Sequence, residues 1–247
     1  NTPSYISIDR QFNVWVSLFD SQIVLKYDYT LQNCLASAVP LNFASLSGFG
    51  EDESPLVAPP IVETDQDDNL WVCYAYPLSS QLLKFDYEGN FLLSAVDILP
   101  ESLPVSLTID VDNNVWVACQ GSNELKCYDT NGNTLQVWNF EQPSFTAVDK
   151  YNNIWLTYGY NSIAKIDTQT EQISSWKVST LENEPIVSFN ALTYDEILFA
   201  RSNEPIWGGL AVDVYNRVWF VDNENNMGGV CSTSNFTSPR LFELQPT

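Results

Sequence analysis

The 247 residues carry 10 basic against 31 acidic side chains, a formal charge of −21 that repels phosphate backbones and anionic membranes and so excludes nucleic acid as a partner. Apolar residues make up 45% and include eight Trp, twelve Tyr and thirteen Phe, which excludes a disordered acidic tail. No run of eighteen apolar residues occurs, which excludes insertion of a membrane-spanning helix.

The first runs, Tyr5 to Ile8 and Val14 to Ser17, alternate in period two and read as half-buried strands joined by a turn at Asp9 to Asn13. Asp and Asn suit such a reversal because their short side chains bond nearby backbone and tolerate left-handed conformations. The same Asp-x-x-x-Asn-x-Trp spacing recurs at Asp65/Asn69/Trp71, Asp110/Asn114/Trp116 and Asp149/Asn153/Trp155. A fifth copy stands at Asp213 and Trp219, where Arg217 takes the Asn place. Behind each Trp comes a second mark: Lys26 and Asp28, Lys84 and Asp86, Lys126 and Asp129, Lys165 and Asp167, with Arg240 and Glu243 at the end.

Between Pro104 and Phe140 the repeat is clearest, with four short strand-like runs each closed by a turn signal. A four-stranded meander of about forty residues is one blade of a β-propeller and must be covered by its neighbours. The expectation is an all-β fold, a β-propeller of four-stranded antiparallel blades with Trp15, Trp71, Trp116, Trp155 and Trp219 as the structural repeat. The domain is single, with blades near 3–58, 59–101, 102–141, 142–203 and 204–247. Insertions are expected where the Trp spacing stretches, in the acidic loop Gly48 to Pro55 and as a hairpin over Ile186 to Arg201, turning at Tyr194 to Glu196. The chain opens on Asn1 rather than Met and closes without a fourth strand for the fifth blade, which reads as a piece of a longer polypeptide completing a six- or seven-bladed ring.

These repeats resemble the NHL-like propellers and look most like those of virginiamycin B lyase and its relatives; a looser likeness links them to propellers in virion proteins of marine tailed phages. The resemblance implies a propeller fold. Lyases of that family use a histidine beside a divalent metal, and this chain has no histidine, so that activity is not expected. Fold alone licenses no single function.

Two candidate chemistries remain. Asp65, Asp67 and Asn69, and likewise Asp110, Asp112 and Asn114, have the alternating oxygen spacing that opens many calcium loops, with Ca²⁺ or Mg²⁺ as the ion; the competing reading is a capped turn. The repeated lysines read as partners of an Asp in their own blade rather than as a basic ring for a polyanion, at about 0–1 kcal/mol for each partly exposed pair. Strand order puts the loops between the second and third strands of a blade, and those between blades, at one end. There Tyr74, Tyr76, Tyr158, Tyr160 and Trp207, with Asn161, Asp222, Asn223 and Glu224, form a candidate surface for a sugar or a protein loop.

Cys34, Cys73, Cys119, Cys127 and Cys231 lack zinc spacing and read as small buried hydrophobes, with a disulfide open only between Cys119 and Cys127. Asn235 to Thr237 is a glycosylation sequon or a chance match. Taken together, the residues point to a non-enzymatic module that binds a glycan or protein, extracellular or on a virion surface and able to assemble into a larger particle. A metal-dependent lactonase or hydrolase with carboxylates at the channel, and a purely structural subunit, are the alternatives.

Overall fold

The computed structural model describes residues 2–19, 23–38, 60–74, 80–95, 102–159, 162–180, 197–199, 210–212, 218–221 and 241–244. These are strands and turns, and no helix among them is long and apolar enough to cross a membrane. Contacts divide the chain into two units, Asn1–Asn139 and Phe140–Thr247.

The first unit holds three four-stranded antiparallel sheets, each in simple sequential order. They are β1 (Pro3–Ile8), β2 (Val14–Leu18), β3 (Ile23–Tyr27) and β4 (Cys34–Ala38); β5 (Ile61–Thr64), β6 (Leu70–Tyr74), β7 (Gln81–Phe85) and β8 (Phe91–Ser94); and β9 (Pro104–Ile109), β10 (Val115–Cys119), β11 (Glu124–Tyr128) and β12 (Thr134–Asn139). The opening strands β1, β5 and β9 neighbour one another in that order, as the inner strands of successive propeller blades do. We call the sheets blades one to three.

Period-two alternation decides what covers each face. In blade two, Trp71, Cys73 and Leu82 point one way and pack with Leu107, Val115 and Val117 of blade three. Leu70, Val72, Tyr74, Leu83 and Phe85 point the other way and receive Trp15 and Val24 of blade one. Each Trp therefore faces the next blade while its aliphatic flanks face the previous one. A fully buried indole of about 150–250 Å² contributes roughly 4–6 kcal/mol before conformational entropy is subtracted.

The turns repeat as well. Asp9 Oδ1 accepts the amides of Gln11 and Asn13, and Oδ2 accepts the Asn13 side chain. Asp65, Asp110 and Asp149 accept the corresponding amides in their own turns. The residue before each Asn lies at positive φ: Phe12 (64°), Asp68 (62°), Asn113 (63°) and Asn152 (67°). The hairpins between third and fourth strands reuse the device at Asp28, Asp86 and Asp129.

In the second unit, β13 (Thr146–Val148), β14 (Ile154–Tyr158), β15 (Ser162–Ile166) and β16 (Ile173–Thr180) form the fourth meander. Strand β17 (Ile197–Phe199) adds to β16 in parallel. That strand is the only described part of the expected inserted hairpin over 186–201, whose turn and other residues lie outside the described residues. The fifth sheet, among the described residues, has β18 (Leu210–Val212), β19 (Val218–Val221) and β20 (Leu241–Leu244), with β13 beside β18. Trp219 pairs with Ala211 and Glu243 in that sheet. Its side-chain surroundings, together with Asp213, Arg217 and Arg240, lie outside the described residues, as do the acidic loop at 48–55 and the sequon.

Candidate functional site

At the end that carries the turns between first and second strands, the carboxylates are already engaged. Asp65 Oδ1 accepts two turn amides; its Oδ2 accepts the Asn69 side chain at 3.0 Å and the Trp71 indole N–H at 3.2 Å. Asp110 holds Asn114 and Trp116 in the same way, and Asp149 holds Asn153 and Trp155. This explains the spacing: one side chain closes the turn and orients the indole six residues on. Asp67 Oδ2 accepts from Asn113 of the next turn at 3.1 Å, and Gln66 bonds Asn113 and Val111, so the two turns lace together. Both oxygens of Asp65 and Asp110, and Oδ2 of Asp67, are thus turned onto protein donors. Among the described residues no group of three acidic, Cys or His side chains is placed to hold a metal ion.

The lysines are part of the same construction. Lys26 lies 2.9 Å from Asp9 and Lys84 3.4 Å from Asp65, each ammonium over its own blade's indole. Each also donates to a turn carbonyl of the next blade: Lys26 to Tyr87, Lys84 to Thr130. The expected partly exposed pairs are corrected on this point, because both Asp side chains are fully buried. Blade three departs from the pattern. Trp116 pairs with Cys127, whereas Lys126 pairs with Val117 and so stands on the opposite face, where it meets Glu124 at 3.2 Å. One extra residue before Asp129 moves the lysine across the sheet. In blade four, Lys165 lies over Trp155 at 6.0 Å.

Cys119 and Cys127 are free thiols. The register sets Cys119 against Glu124 and Cys127 against Trp116, so the open disulfide is corrected. Burial pushes both thiols up to about 12.

At the other end of each meander, the described loops close onto the segment that enters their own blade. In blade three, Gln120 and Gly121 donate to Leu103 and Ser102, closing the loop between second and third strands onto the segment that enters the blade. In blade four the corresponding closure runs from Gly159 to Glu141, and Tyr158 packs edge-on against Phe140 with ring centroids 5.0 Å apart. Tyr158 keeps part of its surface open. Tyr74 does not lie on this surface: it is the last residue of β6 and fully buried, because its parity turns it toward blade one. Tyr76, Tyr160, Asn161, Trp207, Asp222, Asn223 and Glu224 lie outside the described residues.

One titratable group was missed in the sequence. Glu63 is the sole acidic residue on the described opening strands β1, β5, β9, β13 and β18. Ser7 of blade one donates to Glu63 Oε1 at 3.4 Å and accepts the Thr64 amide at 3.0 Å. Burial raises the carboxyl from 4.5 to about 7 against the lowering effect of these bonds. A lone carboxyl at that value can exchange a proton near neutrality. A channel-mouth metal site needs several carboxylates, and the described opening strands supply this one.

No protein-family model matches the chain, and no curated protein sequence does. Solved structures do. A streptogramin B lyase structure is similar over 99% of this chain and 69% of its own, with TM-score 0.62 and 15% identity. A catalytically inactive histidine-to-alanine variant of virginiamycin B lyase from Staphylococcus aureus, with quinupristin, is similar over 99% and 70%, with TM-score 0.60 and 16% identity. A nidogen/laminin complex contains a chain similar over 72% and 64%, with TM-score 0.55 and 15% identity. At these identities the likeness carries the fold alone: the chain is built of β-propeller blades in the manner of the virginiamycin B lyase structures.

Proposed function

We propose that this chain is a non-enzymatic propeller module that holds a glycan or a protein loop on the end bearing its irregular loops, outside the cell or on a virus particle. The observation that carries this reading is the contrast between the two ends. At the turn end, identical Asp turns engage their carboxylates in closing themselves and in lacing to the next blade. At the loop end the connections vary in length along the sequence, and the half-open Tyr158 on Phe140 offers an aromatic ring with a hydroxyl, the kind of group on which sugars stack and protein loops anchor. The solved neighbours include a chain from a protein–protein complex, which supports the same use of the scaffold. Lyase chemistry is disfavoured because the inactive lyase variant lacks a histidine and these 247 residues contain none.

The test is a panel of immobilised neutral and acidic glycans and extracellular-matrix proteins, probed with wild type, Tyr158→Ala and Asp112→Ala. The reading expects a bound member of the panel that is lost at least about tenfold in the Tyr158 variant, the effect of removing an anchor of roughly 1.4 kcal/mol or more, and kept in the Asp112 variant. Binding that depends on Asp112 and ignores Tyr158 overturns it, as does a panel without any bound member.

A further inference from the structure

Two thiols that neither the turns nor the loops use face each other inside the first unit. In blade two, Cys73 has the parity of Trp71, two residues earlier, and so points toward blade three. In blade three, Cys119 has the parity of Val115 and Val117 and points back toward blade two. Each stands near the loop end of its blade's second strand: Cys73 one residue before the end of β6, Cys119 at the end of β10. They share one buried cluster with Ile61, Leu82, Ala95 and Leu107, and neither exposes any surface. Cys127 pairs with Trp116 and stands on the opposite face of blade three. The matching positions between blades one and two hold Ser17 and Tyr74, so the facing thiols are particular to the interface of blades two and three.

The chemistry of the pair follows from this placement. Burial pushes the Cys73 thiol well above its ordinary value, and the neighbouring Cys119 adds to the shift. Burial pushes Cys119 up to about 12 against a lowering by Lys126. Closed in the interface, neither thiol is a nucleophile near neutrality. Facing sheets lie about 10 Å apart, and a disulfide spans Cα atoms up to about 6.8 Å apart. Closing a bond therefore draws the two strands together locally, as the buried sheet-to-sheet bridge beside a tryptophan does in immunoglobulin domains.

We propose that Cys73 and Cys119 form a disulfide bond between blades two and three when the chain folds in an oxidising medium, and that the closed interface then preserves the state made at folding. The step is thiol–disulfide exchange with a small external disulfide. One cysteine thiolate attacks a sulfur of that reagent, forming a mixed disulfide and releasing one reagent thiolate. The second cysteine thiolate attacks the protein sulfur of the mixed disulfide and releases the other. The two protein thiols thus lose two protons and two electrons, and the reagent is reduced to two thiols. An extracellular protein meets such a medium on its way out of the cell. That setting rests on the location proposed above; the choice of partners does not.

The test refolds residues 1–247, carrying Cys34→Ser and Cys231→Ser, from denaturant in mixed reduced and oxidised glutathione. Free thiols are then alkylated and the bonds mapped by mass spectrometry. Among the remaining Cys73, Cys119 and Cys127, an unfolded chain closes its shortest loop best, which favours Cys119 with Cys127. The expected product instead joins Cys73 to Cys119 and leaves Cys127 alkylated, and a Cys127→Ser variant forms the same bond. Its melting temperature rises by about 4–16 °C over the same protein refolded in dithiothreitol. Protein folded first in dithiothreitol and then moved to the glutathione mixture acquires the bond at least ~100-fold more slowly, because exchange waits on opening of the interface. A bond from Cys119 to Cys127 overturns the proposal, as does alkylation of both Cys73 and Cys119 in protein that has refolded and melts cooperatively. Equal rates in the folded and the refolding chain overturn its second half.

Discussion

Replacing Glu63 by Gln separates one half-buried carboxyl from the general effect of a charge of −21. In the fold, burial lifts this group from 4.5 to about 7, while Ser7 and the Thr64 amide pull the other way. The folded state therefore holds the proton more tightly than the unfolded chain. Its contribution is fully present below pH 4.5 and is lost as pH rises through 7. At 1.36 kcal/mol per pH unit the span amounts to about 3 kcal/mol, an upper bound because the side chain retains some surface. For a chain of this size that corresponds to roughly 6–12 °C in melting temperature. The turn carboxylates Asp9, Asp28, Asp86, Asp129 and Asp167 are shifted down and lose their contribution only as pH falls below their ordinary value of 3.8. No histidine titrates between. Melting curves of wild type and Glu63→Gln are expected to nearly coincide at pH 5 and to diverge by pH 8, with the Gln variant the more stable. Curves that stay parallel from pH 5 to pH 8 would refute the claim that Glu63 is buried against its charged form.

Asp65→Ala strands Lys84, the Trp71 indole and the Asn69 side chain without their acceptor and is expected to cost about 3–5 kcal/mol in urea unfolding. Asp86→Ala, in a turn of the same design at the surface, is expected to cost about 1 kcal/mol, and equal losses in the two would contradict the burial argument. Gly132 sits at φ 78° in a turn of blade three, where a Cβ would meet Leu93 at 3.0 Å and the Ala95 backbone at 3.2 Å. Gly132→Ala is therefore expected to destabilise by about 1–3 kcal/mol, and a neutral result would show that the turn has room to shift. In a Cys231→Ser background, a chromogenic disulfide reagent is expected to titrate Cys34 in the native protein and Cys73, Cys119 and Cys127 only after denaturation. Fast native reaction at more than one thiol would refute the packing of blades two and three.

Much of the fold was legible because its signals are local. The Asp-x-x-x-Asn-x-Trp spacing works within seven residues, with one carboxylate closing the turn and orienting the indole, so it survives in the chain as a fixed distance. The lysine mark misled at Lys126 because a single extra residue reverses the face, and only the register reveals that Cys127 holds the equivalent place. Tyr74 misled for a related reason: at the end of a strand, an aromatic of the wrong parity reads as a loop residue, yet its face is covered by blade one. Glu63 gave a faint signal, a lone acid in an apolar strand, whose meaning depends on Ser7, 56 residues earlier.

The order of residues by itself determined the hairpins, their turns and the face to which each side chain is assigned, because these follow from backbone geometry over a few residues. The tertiary structure decided which faces are covered. The burial of the Lys26 and Lys84 ion pairs and the raised carboxyl of Glu63 both depend on whether another sheet excludes water there. That exclusion is set by segments about 50 residues away, beyond the range over which a strand or a turn carries its own instructions.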